Sequence, residues 1–379
     1  AGGAPLALEL GRAGLKVVVL ERGEYAMEPG KPTAFREPSF PLYIAAVYSV
    51  AGRRPGVVIF LNCLLSAATG LLLWLAARRL FGEKVALASL AVFMLHPQSI
   101  YYCAYFFRET FLFFAFTVLL WSSSRWSERD VFAFVGGLGA AVFGLGNSAV
   151  LPACALSGLT LWFAVPPEFR LRRFALFSAP ILLAFSLWSA RNVSVMGKFV
   201  AGSTHGGEEF LQALVVPPED LGTSRQGEII AATPVFAAAD KLPEVQRNEL
   251  LMKSSFDWIK AHPGVFVSRA LAGYVKFWKP WPYKRNYQHG YWKLVAASLL
   301  SDAWIIPFGF LGLWLFRARW RELPALPASI FALTFVYGTV HAVIRYRLPL
   351  MGGMIILACA ALAHLAGARN SVQDRVQRD

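Results

Sequence analysis

Charge is scarce in this chain. Of 379 residues only 16% are Asp, Glu, Lys or Arg, against 56% hydrophobic, where soluble domains carry about 25% charge and 45–50% apolar residues. That balance excludes an ordinary soluble globule. Acids are the scarcer sign, 23 against 37 basic residues, for a net charge of +14. With no nucleic-acid motif present, the excess is read as basic loops facing anionic lipid. Cysteine is rare as well. Cys63, Cys103, Cys154 and Cys359 are scattered through apolar runs with no Cys-x-x-Cys, so they read as small hydrophobes and neither a disulfide framework nor a metal cluster is expected. Internal repeats and low-complexity tracts are missing too. Asn192-Val-Ser fits a glycosylation sequon, a match too short to carry weight.

What is abundant is apolar sequence in long runs. About nine segments are long enough to count as membrane spans, at roughly 56–77, 85–100, 109–122, 131–146, 149–165, 174–190, 299–316, 324–341 and 349–366. The expected fold class is an all-α polytopic membrane protein. Residues 25–55 read as an outer loop followed by a short helix, 40–51, lying in the membrane interface. Residues 191–298 are too long for a simple turn and should form a small, mainly helical extracytoplasmic domain, with helices over 242–261 and from Pro263. Residues 367–379 form a tail. The tight turn at Asn147-Ser148 decides whether 131–165 is two spans or one.

The short loops fix an orientation. Arg78, Arg79 and Lys84, then Arg125 and Arg129, then Arg170, Arg172 and Arg173, then Arg317, Arg319 and Arg321, and the tail arginines all fall on one side, which is therefore read as cytoplasmic. Arg108, Arg345 and Arg347 fall on the other side, against that rule. Arginine near hydrocarbon is costly, and guanidinium forks match phosphate oxygens bidentately. Arg345 and Arg347, two apart between apolar runs, are the candidate phosphate binders. His341, four residues earlier, is expected to share a helical face with Arg345. Glu109 stands at a helix start, where an acid also suits the helix dipole. Arg36 and Glu37 precede the interfacial helix. Arg191-Asn192 opens the outer domain. Tyr102 belongs to an aromatic run that can stack on sugar or simply mark the interface.

Several patterns occur in one order. They are Lys31-Pro-Thr-Ala-Phe-Arg36-Glu37-Pro38, Leu75-Ala-Ala-Arg-Arg-Leu-Phe-Gly82, His96-Pro97, Tyr101-Tyr102, Arg108-Glu109-Thr110, Trp188-Ser-Ala-Arg191-Asn192, Ser203-Thr-His-Gly-Gly207, His262-Pro-Gly, Phe277-Trp278-Lys-Pro280 and His341 to Pro349. Together they resemble the multi-spanning GT-C glycosyltransferases that use lipid-phosphate sugars. Nearest in pattern are the family 39 protein mannosyltransferases and the aminoarabinose transferases of lipid A. The resemblance runs from about 31 to 366. It implies an inverting transferase in a bacterial cytoplasmic membrane, working on the outer, periplasmic side. The donor would be a polyprenyl-phosphate sugar, and the acceptor a lipid, protein or glycan. Glu37 and Glu109 become the candidate catalytic acids. Arg345, Arg347, Arg36 and His341 become phosphate binders, with Arg191, Asn192 and Tyr102 toward substrate. A single phosphate has no diphosphate to bridge, so no metal is assigned.

Residues 1–24 stand apart. They read as helix, turn, strand and a closing acid, and resemble the front of the flavin-binding Rossmann unit of glucose-methanol-choline oxidoreductases. The leading strand and its Gly-x-Gly are missing, so no flavin is expected. The transferase family has a further span and an acidic loop in this place, and the expectation is that the chain lacks that helix and its principal base. Two other readings fit parts of the pattern. An O-antigen ligase or polymerase would use diphosphate donors. A transporter or flippase would show repeated halves or broken helices near mid-membrane.

Overall fold

A computed structural model describes residues 33–217, 220, 224–281 and 291–376. The Rossmann-like segment 1–24 and the first two residues of the Lys31–Pro38 pattern lie outside the described residues. Those described are helical and contain no strand. The first half runs α1 (Ser39–Ala51), α2 (Pro55–Phe81), α3 (Glu83–Met94), α4 (Pro97–Cys103), α5 (Glu109–Ser123), α6 (Asp130–Gly144), α7 (Leu151–Ala164) and α8 (Arg170–Met196). The second runs α9 (Gly206–Val215), α10 (Ser224–Ala232), α11 (Pro234–Ala239), α12 (Glu244–Ala261), α13 (Pro263–Phe277), α14 (Tyr291–Leu315), α15 (Ala325–Thr339) and α16 (Leu348–Val376).

A helix occupies each of the nine expected spans, but the lengths differ from the expectation. Four stretches are long and apolar enough to cross a membrane: Pro55–Phe81, Pro167–Met196, Tyr291–Leu315 and Ile344–Gly367. A fifth is the pair α3 and α4, bent by 55° where Pro97 cannot continue the helix. Helices α5, α6 and α15 have 15 residues each, which at 1.5 Å per residue is about 22 Å, short of a hydrocarbon core of about 30 Å. By length and composition, four or five of the nine expected spans qualify among the described residues.

The chain does reverse at Asn147. Gly144 lies against Leu151, the Cys154 thiol donates to the Ala140 carbonyl at 3.5 Å, and Gly137 and Gly158 both pack on Phe177. Pairings that move apart from 144/151 through 140/154 define an antiparallel hairpin, so 131–165 is two helices.

The basic loops gather at one end of the bundle. Arg79 donates to the Ser124 carbonyl at 2.9 Å and pairs with Glu128. Arg173 donates to Asp130 at 2.9 Å and to the Trp126 carbonyl at 2.7 Å. Arg319 reaches the Leu80 carbonyl at 2.8 Å. At the opposite end lie the strands of irregular chain 33–38, 104–108, 145–148, 200–205 and 340–347. Helix α1 begins here: it exposes Leu42 and Val50, and the Ser39 amide ties its start to the Leu145 carbonyl at 3.0 Å.

Within the segment that follows α8, Leu211, Phe236, Ala239 and Leu251 form a separate small core. Arg247 holds it together through Glu208 at 3.0 Å and Asp240 at 3.3 Å. The segment was expected to stay outside up to residue 298, but α13 leaves this core and runs antiparallel to α15 in the main bundle. Tyr274 and Thr339 hydroxyls meet at 3.0 Å, and Trp278 Nε1 donates to Thr334 Oγ1 at 3.0 Å. This crossing depends on glycine. A Cβ on Gly273 would sit 1.9 Å from the Gly338 carbonyl oxygen, so backbone meets backbone and neither can yield.

Gly273→Ala should therefore lower the unfolding temperature of the purified protein by several degrees, since overpacking costs about 1–3 kcal/mol. Gly264→Ala on the same helix meets nothing within 4 Å and should leave it unchanged. Equal thermal stability of the two variants would contradict the close crossing.

Candidate functional site

Arg347 and Arg345 do different things. Residues Ile344–Arg347 form a 3-10 turn that runs straight into α16. With three residues per turn, side chains two apart point about 120° from each other, so the two guanidiniums cannot lie side by side. Arg347 is completely buried. Its Nη2 donates to Asp302 Oδ2 at 2.5 Å, and its Nη1 to the carbonyls of Phe277 at 2.8 Å and Lys279 at 2.6 Å. Asp302, on α14, is also completely buried and accepts from His96 Nε2 at 3.0 Å and Gln98 Nε2 at 2.9 Å. In place of the expected ligand phosphate, Arg347 Nη1 and Nη2 bind Asp302 and two backbone carbonyls.

Arg345 stays partly open, its side chain 40% exposed. Its guanidinium lies over the Tyr346 ring, 5.1 Å from the centroid, and Nη2 donates to the Tyr346 hydroxyl at 3.3 Å. Its Nε is 3.6 Å from Glu109 Oε1, too long for a hydrogen bond. Glu109 is buried at the start of α5, and its Oε2 has no hydrogen-bond partner among the described residues. These groups border a cavity with Arg108, Asn147 and Tyr337. At about 20 Å³ it has room for about one water molecule.

Glu37 and Arg108 form a closed pair. The Glu37 carboxylate accepts from Ser148 N at 2.9 Å, Ser148 Oγ at 2.8 Å, Ser203 Oγ at 3.2 Å and Arg108 Nη1 at 3.2 Å. Burial alone would raise its pKa, but Arg108 and the Ser148 donors outweigh burial and hold it below the usual carboxylate range. Such a carboxylate, with three donors on Oε1 and Arg108 on Oε2, is a weak base. Arg108 bridges Glu37 to the Gly146 carbonyl at 2.9 Å. Arg36, half-buried against the Phe35 ring, has no hydrogen bond or ion pair to any described residue. Burial and the nearby Arg108 charge lower its pKa, outweighing the Glu209 and Glu37 carboxylates.

His341 does not share a helical face with Arg345, because residues 341–343 are extended chain. Its Nδ1 instead faces Glu209 Oε2 at 4.0 Å. Glu209, on α9, is bound more closely by His205 Nε2 at 2.6 Å. Arg191 and Asn192 serve as braces. Arg191 donates to the Thr33 carbonyl at 3.0 Å and to Asn192 Oδ1 at 2.9 Å, while the buried Asn192 donates to the Val200 carbonyl at 2.9 Å. Tyr102 packs edge-on to Tyr101 and Phe107 and faces the main core. Two residues had no motif to announce them. Glu244 accepts from Thr33 Oγ1 at 2.7 Å, Ala34 N at 2.9 Å and Thr204 Oγ1 at 2.5 Å, stapling the Arg36 loop to α12. Asp302 is the other, and it carries a signal, a lone acid within an apolar run, which calls for a partner. Among the described residues no group of three or more His, Cys, Asp or Glu side chains is placed to hold a metal ion.

A helical, multi-pass membrane protein with a cluster of partly open arginines at one end is the class this geometry defines. The sequence model of the dolichyl-phosphate-mannose-protein mannosyltransferase family matches residues 31–189, less than half of the chain. That similarity covers the Arg36 loop, Arg108 and Glu109, and it supports a membrane glycosyltransferase of the GT-C type. No curated protein and no solved structure matches the chain.

The His205–Glu209 contact should make stability depend on pH. Burial lowers the His205 pKa, but hydrogen bonds to Glu208 and Glu209 outweigh it and leave it above 6.5. Burial raises Glu209, but the His205 hydrogen bond and the charges of His341, His205 and Arg36 hold it well below 4.5. The His205 contribution is complete below its unfolded pKa of about 6.5 and disappears as pH rises through the raised folded value. The Glu209 contribution is complete above about 4.5 and disappears only as pH falls through its depressed folded value. Thermal unfolding of the wild-type protein should thus show a loss of stability as pH rises above about 6.5 and through the raised His205 value, and Glu209→Gln should make that loss smaller. A parallel pH profile in the variant would contradict the contact.

Proposed function

We propose that the chain transfers a sugar from a polyprenyl-phosphate donor to an extracytoplasmic acceptor, with inversion at the anomeric carbon. The observation that carries this reading is the pairing of open and closed charges at one end of the bundle. Arg345 lies 3.6 Å from a buried carboxylate, Glu109, whose Oε2 has no hydrogen-bond partner among the described residues, and Arg36 has no hydrogen bond or ion pair to any described residue. Arg347, Arg108 and Glu37 are neighbours already spent on structure. The family match over the Arg36 loop and α5 supports the same assignment.

The chemistry divides among these groups. The anomeric C–O bond to phosphate breaks, and the electron pair leaves with the phosphate. Arg345 and Arg36 hold that phosphate and stabilise the charge gathering on it. The acceptor oxygen attacks from the opposite face, which inverts the centre. Its proton goes to a carboxylate, and Glu109 is better placed than Glu37 because its Oε2 is not yet engaged. Arg108 keeps the Glu37 loop and the 145–148 turn together beside the reacting groups. His341 and Glu209 close the side facing the outer domain, and Tyr102 lines the aromatic approach. The cavity holds about one water molecule, so donor entry requires the 340–347 chain or the Arg36 loop to move aside.

Arg345→Ala should reduce kcat/KM for a polyprenyl-phosphate sugar by about 100-fold or more with an unchanged melting temperature. Arg347→Ala should lower the melting temperature instead, since stranding a buried partner costs about 3–5 kcal/mol. Near wild-type transfer by purified Arg345→Ala would refute the phosphate role.

A further inference from the structure

Beneath Arg345 lies a buried polar junction that joins four separate stretches of chain. We infer that Asp302 and His96 are positioning residues for the donor phosphate, acting on Arg345 through Arg347; this rests on the proposed phosphate role of Arg345. The junction draws on several elements at once. Asp302 takes three donors, from His96, Gln98 and Arg347. Arg347 then reaches the two carbonyls at the end of α13. The break between α3 and α4, the middle of α14, the end of α13 and the 344–347 turn therefore meet at one carboxylate.

The proton positions follow from the geometry. The Ser99 amide donates to His96 Nδ1 at 3.3 Å, capping α4. A nitrogen that accepts carries no proton, so Nε2 bears it and donates to Asp302. The buried carboxylate is neutralised by Arg347 alone, and His96 completes its hydrogen bonding without adding charge. A buried ion pair in this state tolerates the loss of neither partner.

The link to the site is covalent and short. Arg345 and Arg347 belong to one 3-10 turn, and a turn so brief has no internal redundancy. What fixes its rotation is the Arg347 side chain. Tyr346 between them stacks on Tyr337, with centroids 4.6 Å apart, and Arg345 lies over Tyr346. Turning Arg347 away from Asp302 rotates the turn, moves Tyr346 off Tyr337, and carries Arg345 away from Glu109. A stability role alone would change the melting temperature. A positioning role changes affinity for phosphate in protein that remains folded.

The test is binding of a polyprenyl monophosphate, the reaction's lipid product, to the full-length protein in detergent. It compares wild type, Arg345→Ala, Asp302→Asn, Asp302→Glu and His96→Asn. Asparagine at 96 mimics Nδ1 and keeps the cap on α4, but cannot reach Asp302, so it probes the junction if Asp302→Asn does not fold. Expected are loss of binding in Arg345→Ala, at least tenfold weaker binding in Asp302→Asn, twofold to fivefold weakening in His96→Asn, and recovery in Asp302→Glu to within about threefold of wild type. Folded Asp302→Asn or His96→Asn that binds as tightly as wild type, while Arg345→Ala does not bind, overturns the positioning role and leaves the phosphate site standing. Wild-type affinity in Arg345→Ala overturns both.

Discussion

The Asp302–Arg347 ion pair is the constraint on which the rest of the site depends. A carboxylate and a guanidinium taken out of water are costly singly, and they are retained together only where their remaining donors and acceptors are satisfied. Here every neighbour contributes. His96 comes from a helix that Pro97 interrupts, Gln98 from the next turn, and the two carbonyls from the end of α13, which glycine allows to lie directly on α15. The broken helix, the inward turn of α13 and the 3-10 segment before α16 look like separate irregularities. Each brings one partner to the same carboxylate.

Around this fixed point the charges sort by how fully they are engaged. Arg347, Arg173 and Asn192 are buried and tie backbone to backbone. Glu37 accepts from four donors and binds the Arg36 loop to the 145–148 turn and to Ser203. Glu244 binds the same loop to α12. The loop is thus held on two sides, leaving the Arg36 guanidinium as the member without a partner. Arg345 is left in a similar position on the other side, with a stacked tyrosine and a carboxylate just beyond hydrogen-bond range. Preorganised cations of this kind bind an anion with little rearrangement of their own.

The two ends of the bundle were legible in the sequence because the basic loops repeat at every second connection, and those loops do gather. The helices were legible as apolar runs, but their number as spans was not. Hydropathy averages over a window and does not register the break at His96-Pro97 or the 15-residue length of α5, α6 and α15. The arginines of 345–347 were read as a pair. Residues two apart were taken as neighbours on the assumption of one ligand, whereas the 3-10 turn separates them. His341 was aligned with Arg345 by helical spacing in a stretch that is extended. Asp302 passed unnoticed because its partners are distant in sequence, 206 residues away for His96 and 45 for Arg347. Only the cost of one acid within an apolar run pointed to it.

The most direct test of the central division, an open Arg345 over a closed Arg347, is a structure of the protein in a lipid nanodisc with a bound polyprenyl monophosphate. The phosphate should contact Arg345 and Arg36, with Arg347 still on Asp302 and on the carbonyls of Phe277 and Lys279. A phosphate seated on Arg347, with the Asp302 pair broken, would contradict the account.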